Sequence, residues 1–291
     1  MEVREGFMPF LGYQTYYCVI GDLKSGKTPL LALHGGPGGK SERLRNLEPQ
    51  VESGRALVLY DQIGGGKSAI EGSHKELWNS AIWIQELIAL RQHLELTEIH
   101  LMGQSWGGML ALQYVIEEKP PGLKSLVLAS TMASVTIWQR EGRRLLSYLP
   151  QEVQDAVSRA EETGDYDSEE YKAALEAYAR RYVGDKLPPA EGDPVNPPPS
   201  EAYRTAWGPS EFICNGTLQD WEYAHRLHEV SCPTLITSGL MDECTPLVAK
   251  QMLDGISNAR WELFEYSRHG SYYQEKDKYN QILRSFLDPL G

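Results

Sequence analysis

Gly103-Gln104-Ser105-Trp106-Gly107 decides the fold of this chain, because an apolar run precedes it and a helical pattern follows it. Residues 99–102 predict a strand and residues 108–116 predict a helix. A serine between them lies on a sharp turn that exposes its hydroxyl, and glycines allow the tight backbone. The first N–H groups of the helix favour negative charge at the same point. The pattern indicates a nucleophilic serine, and the alternative is a glycine-rich loop without chemistry.

A second glycine-rich run, His34-Gly35-Gly36-Pro37-Gly38-Gly39, follows another predicted strand. In hydrolases built on such a turn, a loop of this kind supplies one N–H to the oxyanion, and the residue after the nucleophile supplies the other. We therefore predict Gly36 and Trp106 as the donors, each lowering the barrier by about 2.7–4 kcal/mol. A phosphate loop or a plain turn is the alternative, but the run lacks the Lys-Ser/Thr ending and the dinucleotide spacing of phosphate-binding motifs.

Two further residues complete a possible triad. The chain order in this fold is serine, acid, histidine, and Asp242 and His269 each follow a predicted strand. His269 is the only one of the seven histidines downstream of Asp242. It would carry the Ser105 proton to the leaving group, while Asp242 orients the ring. Asp61 also follows a strand, but it precedes the serine, so we predict a packing or hydrogen-bonding role for it.

Net charge, cysteine spacing and the N-terminal residues exclude several classes of function. The 291 residues carry a net charge of −12, which argues against nucleic acid and anionic membranes as partners. The four cysteines form no Cys-x-x-Cys pair, so we predict neither a metal site nor a disulfide framework. Cys244 is either a reactive thiol or, as we prefer, a small buried residue. The N-terminal residues show no signal peptide, which leads us to expect a cytoplasmic enzyme with free thiols. Because the sequence shows no metal-ligand cluster, we also expect no cofactor.

The order of predicted elements indicates an α/β fold with a mostly parallel sheet and helices on both faces. Strand patterns at 30–34, 56–60, 99–102 and 123–129 alternate with helices, and strands resume at 234–239 and 261–264 before a final helix at 274–287. Residues 132–228 between them read as helices, interrupted by a proline-rich connection at 187–199. We predict a core formed by 1–131 and 229–291 and a helical cap formed by 132–228.

Taken together, these motifs resemble the proline iminopeptidase family of serine aminopeptidases, which has the α/β-hydrolase fold. The similarity extends over nearly the whole chain. It is carried by the two glycine-rich motifs, Tyr60-Asp61-Gln62, Asp242-Glu243, Thr245-Pro246, His269 and, in the cap, Gly208-Pro209-Ser210-Glu211-Phe212. The resemblance implies that Glu211 and Glu243 bind the free α-amino group of the substrate. A buried ammonium needs opposite charge, because leaving it unpaired is costly.

Several functions remain open at the level of sequence. The family implies a serine hydrolase that releases N-terminal proline or another apolar residue from short peptides through an acyl-enzyme. An L-amino-acid amidase acting on small amino-acid amides would use the same two glutamates. An esterase would need no ammonium anchor, and a binding protein of this fold would need no triad. The oligomeric state is not predicted.

Overall fold

A computed structural model describes residues 2–184 and 199–291. Within these ranges, eight strands form one sheet. The strands are β1 (Val3–Phe10), β2 (Tyr13–Ile20), β3 (Leu30–Leu33), β4 (Leu57–Tyr60), β5 (Ile99–Gln104), β6 (Leu123–Ala129), β7 (Thr234–Gly239) and β8 (Ala259–Phe264). Their order is β1-β2-β4-β3-β5-β6-β7-β8. The first two strands form an antiparallel hairpin, β2 pairs antiparallel with β4, and the remaining pairs are parallel.

The helices alternate with the parallel strands, except for a group between β6 and β7. The α-helices of the described ranges are α1 (Ser80–His93), α2 (Trp106–Glu118), α3 (Val135–Leu146), α4 (Gln151–Thr163), α5 (Glu169–Tyr182), α6 (Glu201–Ala206), α7 (Pro246–Gly255), α8 (Ser271–Gln274) and α9 (Lys276–Leu287). Helices of the 3-10 type cover Ser41–Ser53, Gly66–Ser68, Lys75–Leu77, Ala224–Glu229 and Asp288–Leu290. The α/β fold with a mostly parallel sheet is therefore confirmed.

The central strands of the sheet have short, continuously apolar sequences because they are buried on both faces. Every residue of β3, β4 and β7 is buried, because helices cover both faces of these strands. Helix α2 is buried without interruption from Trp106 to Ile116. A helix enclosed on all sides keeps its N-terminus fixed relative to β5, and the residue at that N-terminus is Ser105.

The helical segment between β6 and β7 has an apolar cluster of its own. Side chains of α3, α4 and α5 pack there with Phe212, separately from the clusters on the two faces of the sheet. Residues 132–184 and 199–228 contain no strand, as predicted. Residues 187–198 of the predicted proline-rich connection lie outside the described ranges. No helix in the described part of the chain is long and apolar enough to cross a membrane.

One predicted element differs from the structure. The final helix expected over 274–287 is interrupted at Glu275, whose φ of −119° and ψ of 50° separate α8 from α9. The Glu275 carboxylate accepts hydrogen bonds from the Tyr266 N–H at 3.0 Å and the Ser267 hydroxyl at 2.6 Å. Contacts from the preceding loop therefore compete with helical geometry at this residue, and the hydrophobic pattern of the helix did not indicate them.

Candidate active site

Ser105 lies between the end of β5 and the start of α2, with φ of 54° and ψ of −123°. A positive φ is unusual for serine and costs of order 1–3 kcal/mol. The surrounding chain holds this conformation. The Ser105 N–H donates to the Ala129 carbonyl at 2.9 Å, and the Thr131 hydroxyl donates to the Ser105 carbonyl at 2.7 Å. Both partners lie at the end of the neighbouring strand β6, so the sheet fixes the turn on which Ser105 lies.

The two glycines beside Ser105 are required by close backbone contacts. A Cβ at Gly103 would lie 2.1 Å from the Gly107 carbonyl oxygen, and a Cβ at Gly107 would lie 2.4 Å from the Leu33 carbonyl oxygen. Both distances are shorter than any real carbon–oxygen contact. The turn is therefore as tight as the Gly-x-Ser-x-Gly pattern predicted, and it packs directly against the end of β3.

Asp242 and His269 form a buried pair at the carboxyl ends of β7 and β8. His269 Nδ1 lies 2.8 Å from Asp242 Oδ1. Asp242 is held in turn by the backbone N–H groups of Gly239 at 3.2 Å and Cys244 at 2.8 Å. Because Asp242 accepts a hydrogen bond from His269, we assign the ring proton to Nδ1. The other ring nitrogen, Nε2, is then available to accept a proton.

The structure brings Ser105 and His269 to the same end of the sheet. The Gln104 side-chain amide donates to the His269 carbonyl at 3.4 Å, which connects the serine turn to the histidine loop. The Trp138 ring of α3 lies 6.0 Å from the His269 ring, centroid to centroid. Among the described residues, however, no hydrogen bond joins the Ser105 hydroxyl to His269; the Nε2 atom instead lies 3.5 Å from Glu243 Oε1.

The His34–Gly39 loop lies beside Ser105, where an oxyanion loop is expected. A Cβ at Gly35 would lie 3.2 Å from Ser105 Cβ, so the loop backbone passes directly next to the serine. Within the described ranges, the backbone N–H groups of Gly36 and Trp106 donate to no protein acceptor. Both N–H groups can therefore donate to a bound ligand.

Gln62 joins the two predicted oxyanion elements, a role that the sequence did not reveal. Its side-chain oxygen accepts from Trp106 Nε1–H at 2.7 Å, and its side-chain amide donates to the His34 carbonyl at 3.0 Å. Its backbone N–H donates to His34 Nε2 at 2.9 Å, while His34 Nδ1–H donates to the Gly35 carbonyl at 2.7 Å. Burial lowers the pKa of His34, consistent with a neutral ring that accepts at Nε2.

The neighbouring Asp61 has the structural role that was predicted for it. One of its carboxylate oxygens accepts from the Ser41 N–H at 2.7 Å and the Ser41 hydroxyl at 2.6 Å, and the other accepts from the Lys67 N–H at 2.8 Å. These bonds fix the segments that follow the oxyanion loop and β4. Cys244 also behaves as predicted, since it is fully buried, its thiol donates to the Thr131 carbonyl and burial raises its pKa.

Two glutamates lie near the triad residues. Glu243 is buried, and its Oε2 atom has no hydrogen-bond partner within the described part of the chain. Burial raises the pKa of Glu243 to about 8, an effect that Glu211 and Asp242 increase and His269 opposes. Glu211 accepts from the Tyr203 hydroxyl at 2.7 Å. The site therefore contains carboxylate oxygens that protein donors do not saturate.

His269 contacts two carboxylates, Asp242 and Glu243, and is also affected by the charge of a third, Glu211. Burial disfavours its charged form, but the charges of Asp242, Glu243 and Glu211 outweigh burial and raise the pKa of His269 to about 9. The described residues contain no cluster of three or more His, Cys, Asp or Glu side chains that could bind a metal ion.

Known proteins with the same fold cover nearly all of this chain. The α/β-hydrolase fold family model matches residues 28–276. Proline iminopeptidases of Clostridium botulinum and Clostridioides difficile are each 47% identical to it, over 99% of both chains. The solved structure of VinJ superposes with a TM-score of 0.90 at 34% identity, covering 99% of each chain. A proline iminopeptidase of Mycobacterium smegmatis gives a TM-score of 0.84 at 28% identity, covering 98% of each.

These similarities extend from end to end and include the segment between β6 and β7. They confirm the expectation of a hydrolase of the aminopeptidase type. The chain belongs to the α/β-hydrolase fold family and, within it, to the proline iminopeptidases.

Proposed function

We propose that this enzyme releases the N-terminal residue of short peptides through a covalent intermediate on Ser105. The observation that carries the proposal is a buried carboxylate, Glu243, with an unpartnered oxygen beside the His269–Asp242 pair. Burial without a donor disfavours the charged form of this carboxyl group, as its raised pKa shows, and a ligand that brings positive charge and N–H donors would favour that form again. The free ammonium of a peptide supplies both charge and N–H donors at the position where an aminopeptidase needs them.

The proposed chemical steps give each of these groups one role. The Ser105 hydroxyl attacks the carbonyl carbon of the first residue, and His269 Nε2 takes the hydroxyl proton. The negative charge that forms on the carbonyl oxygen is stabilised by the N–H groups of Gly36 and Trp106. When the C–N bond breaks, His269 returns the proton to the leaving amine. Water, activated by the same imidazole, then attacks the ester and releases the free amino acid and Ser105.

Glu211 and Glu243 together would bind the substrate ammonium. They come from different parts of the chain, because Glu243 lies in the loop between β7 and α7 and Glu211 belongs to the segment between β6 and β7. Holding the ammonium at a fixed place also positions the adjacent carbonyl over Ser105, so the two carboxylates would contribute to kcat as well as to KM.

The segment 132–228 would act as a cap that limits the substrate to short chains. Its own apolar cluster supports a separate unit, and Trp138 lies against His269. Phe212, next to Glu211, packs against Tyr178 with ring centroids 4.9 Å apart. The Trp138 ring is therefore an apolar surface near the acidic Glu243, and a first residue that is proline or another apolar amino acid would suit this combination.

Turnover of L-proline p-nitroanilide tests the nucleophile. Ser105→Ala should abolish turnover and labelling by a fluorophosphonate, whereas Ser147→Ala, a change at an exposed serine, should leave both unchanged. Retention of more than a few per cent of turnover by purified Ser105→Ala enzyme contradicts the assignment.

N-acetylation of the substrate tests the ammonium site. The acetylated anilide should lose most of its reactivity, because it has no charge to pair with Glu211 and Glu243. Equal rates for free and acetylated substrates would indicate an esterase-like site. A strong preference for proline amide over proline dipeptides would instead indicate an amidase with the same residues.

A further inference from the structure

Glu243 contacts His269 at Nε2, the ring nitrogen that must accept the Ser105 proton in the proposed reaction. Nε2 must present a lone pair to the Ser105 hydroxyl, yet it lies 3.5 Å from Glu243 Oε1. On the other side of the ring, Nδ1 is engaged by Asp242 at 2.8 Å. The imidazole is therefore placed between two carboxylates, and no hydrogen bond to the Ser105 hydroxyl occurs among the described residues.

An imidazole between two carboxylates favours the doubly protonated form. A lone pair on Nε2 facing an ionised carboxylate would be repelled, whereas an N–H at that position is attracted. The other groups that face this pair add little positive charge. Glu211 contributes a third negative charge, Trp138 presents a neutral ring to His269, and the Tyr178 hydroxyl of α5 faces Glu243. The free enzyme thus holds a proton on or between Nε2 and Glu243.

We propose that Glu243 keeps the free enzyme in a resting state by binding His269 Nε2, and that the substrate ammonium releases the imidazole when it takes this carboxylate. The inference rests on the proposed function and adds to it. When the ammonium binds to Glu243, the proton on Nε2 loses its partner. This proton then leaves to solvent. The freed lone pair accepts the Ser105 hydroxyl proton. Charge balances, since one ammonium enters and one proton leaves.

In this arrangement, two factors select for a substrate with a free N-terminus. One is binding of the ammonium, and the other is the protonation state of His269. An N-blocked peptide that enters the site would leave Glu243 on His269, and the base would remain protonated. The pKa of His269 is raised by the neighbouring carboxylates and that of Glu243 by burial, and both directions agree with a proton retained by the pair at neutral pH.

A probe without an ammonium separates this role of Glu243 from amine binding. The second-order rate of Ser105 labelling by a neutral fluorophosphonate is measured from pH 6 to 9 for wild type, Glu243→Gln and Glu243→Ala. Both variants should be labelled faster at pH 7, by about tenfold for each unit by which the pKa of His269 falls. The midpoint of the labelling profile should move to lower pH. Cleavage of L-proline p-nitroanilide by both variants should decrease.

Two matched substitutions make the result specific. Glu211→Gln should weaken anilide cleavage but change labelling much less than Glu243→Gln, because Glu211 does not contact His269. Glu265→Gln removes an exposed carboxylate and should match wild type in both assays. Labelling of folded Glu243→Gln and Glu243→Ala at the wild-type rate, with an unchanged midpoint, overturns the inference. Absence of labelling in wild type overturns instead the assignment of Ser105 as nucleophile.

Discussion

Gln62→Leu should impair both stability and catalysis, because it removes the link between the two oxyanion elements. The substitution leaves Trp106 Nε1–H and the His34 carbonyl without the partners that now lie at 2.7 and 3.0 Å. A buried group left without its hydrogen bond costs about 1–3 kcal/mol, so the free energy of unfolding should fall by about 2–6 kcal/mol. Domains are typically stable by about 5–15 kcal/mol, so the variant should still fold.

The effect on kcat follows from the position of Trp106. Loss of one oxyanion donor lowers kcat by about 10²–10³ in known enzymes. A donor that is displaced rather than removed should cost less, so we expect a fall in kcat of about tenfold or more. Urea unfolding measures stability, and turnover of L-proline p-nitroanilide at saturating substrate measures kcat.

Gln113→Leu is the matched control. Gln113 also accepts a hydrogen bond from a tryptophan, Trp221 Nε1–H at 2.8 Å, but it lies in the second half of α2, away from Ser105. It should lower the free energy of unfolding by about 1–3 kcal/mol and leave kcat near wild type. If Gln62→Leu loses stability but keeps the wild-type kcat, Gln62 does not position the oxyanion donors and the reasoning is wrong.

Two further substitutions probe buried carboxyl groups. Asp242→Asn should lower kcat by about 10⁴ with the fold intact, because the amide would present N–H to Nδ1 and impose the wrong tautomer; a loss below tenfold would exclude Asp242 as the orienting acid. Glu86 is fully buried, and burial raises its pKa from 4.5 to about 8. The unfolded chain therefore releases this proton first, and stability falls as the pH rises from 4.5 towards 8. Thermal unfolding should therefore show that Glu86→Gln is more stable relative to wild type at pH 8 than at pH 5. An equal difference in melting temperature between the two proteins at both pH values would contradict this.

The sequence predicted the fold and the position of the triad residues because both depend on local pattern. Short apolar runs located the parallel strands, and chain order then placed Ser105, Asp242 and His269 after three of them. The structure confirms these strands and shows Asp242 and His269 in contact. The catalytic roles of the three residues stay predictions until the variants are measured.

The contacts that the sequence missed depend on neighbours that are distant along the chain. Gln62 reaches both His34 and Trp106 because β3 lies between β4 and β5 in the sheet, an order that no local pattern encodes. The approach of Glu243 to His269 Nε2 depends on side-chain directions in two separate loops. Burial of Glu86 arises because Thr15 and Ile63 pack over α1 and donate to its carboxylate.

The crowding around Gly103 and Gly107 determines where new substrate selectivity could be introduced. Neither position has space for even a methyl group, because the atoms in the way belong to the backbone and cannot rotate aside. A mutant library directed at the turn would therefore yield mostly misfolded members. Substitutions in the segment between β6 and β7 avoid this constraint, since Trp138 of that segment lies beside the His269 ring and does not support the turn. Laboratory evolution of this scaffold should accordingly accumulate its successful changes around Trp138, and leave the serine turn as it is.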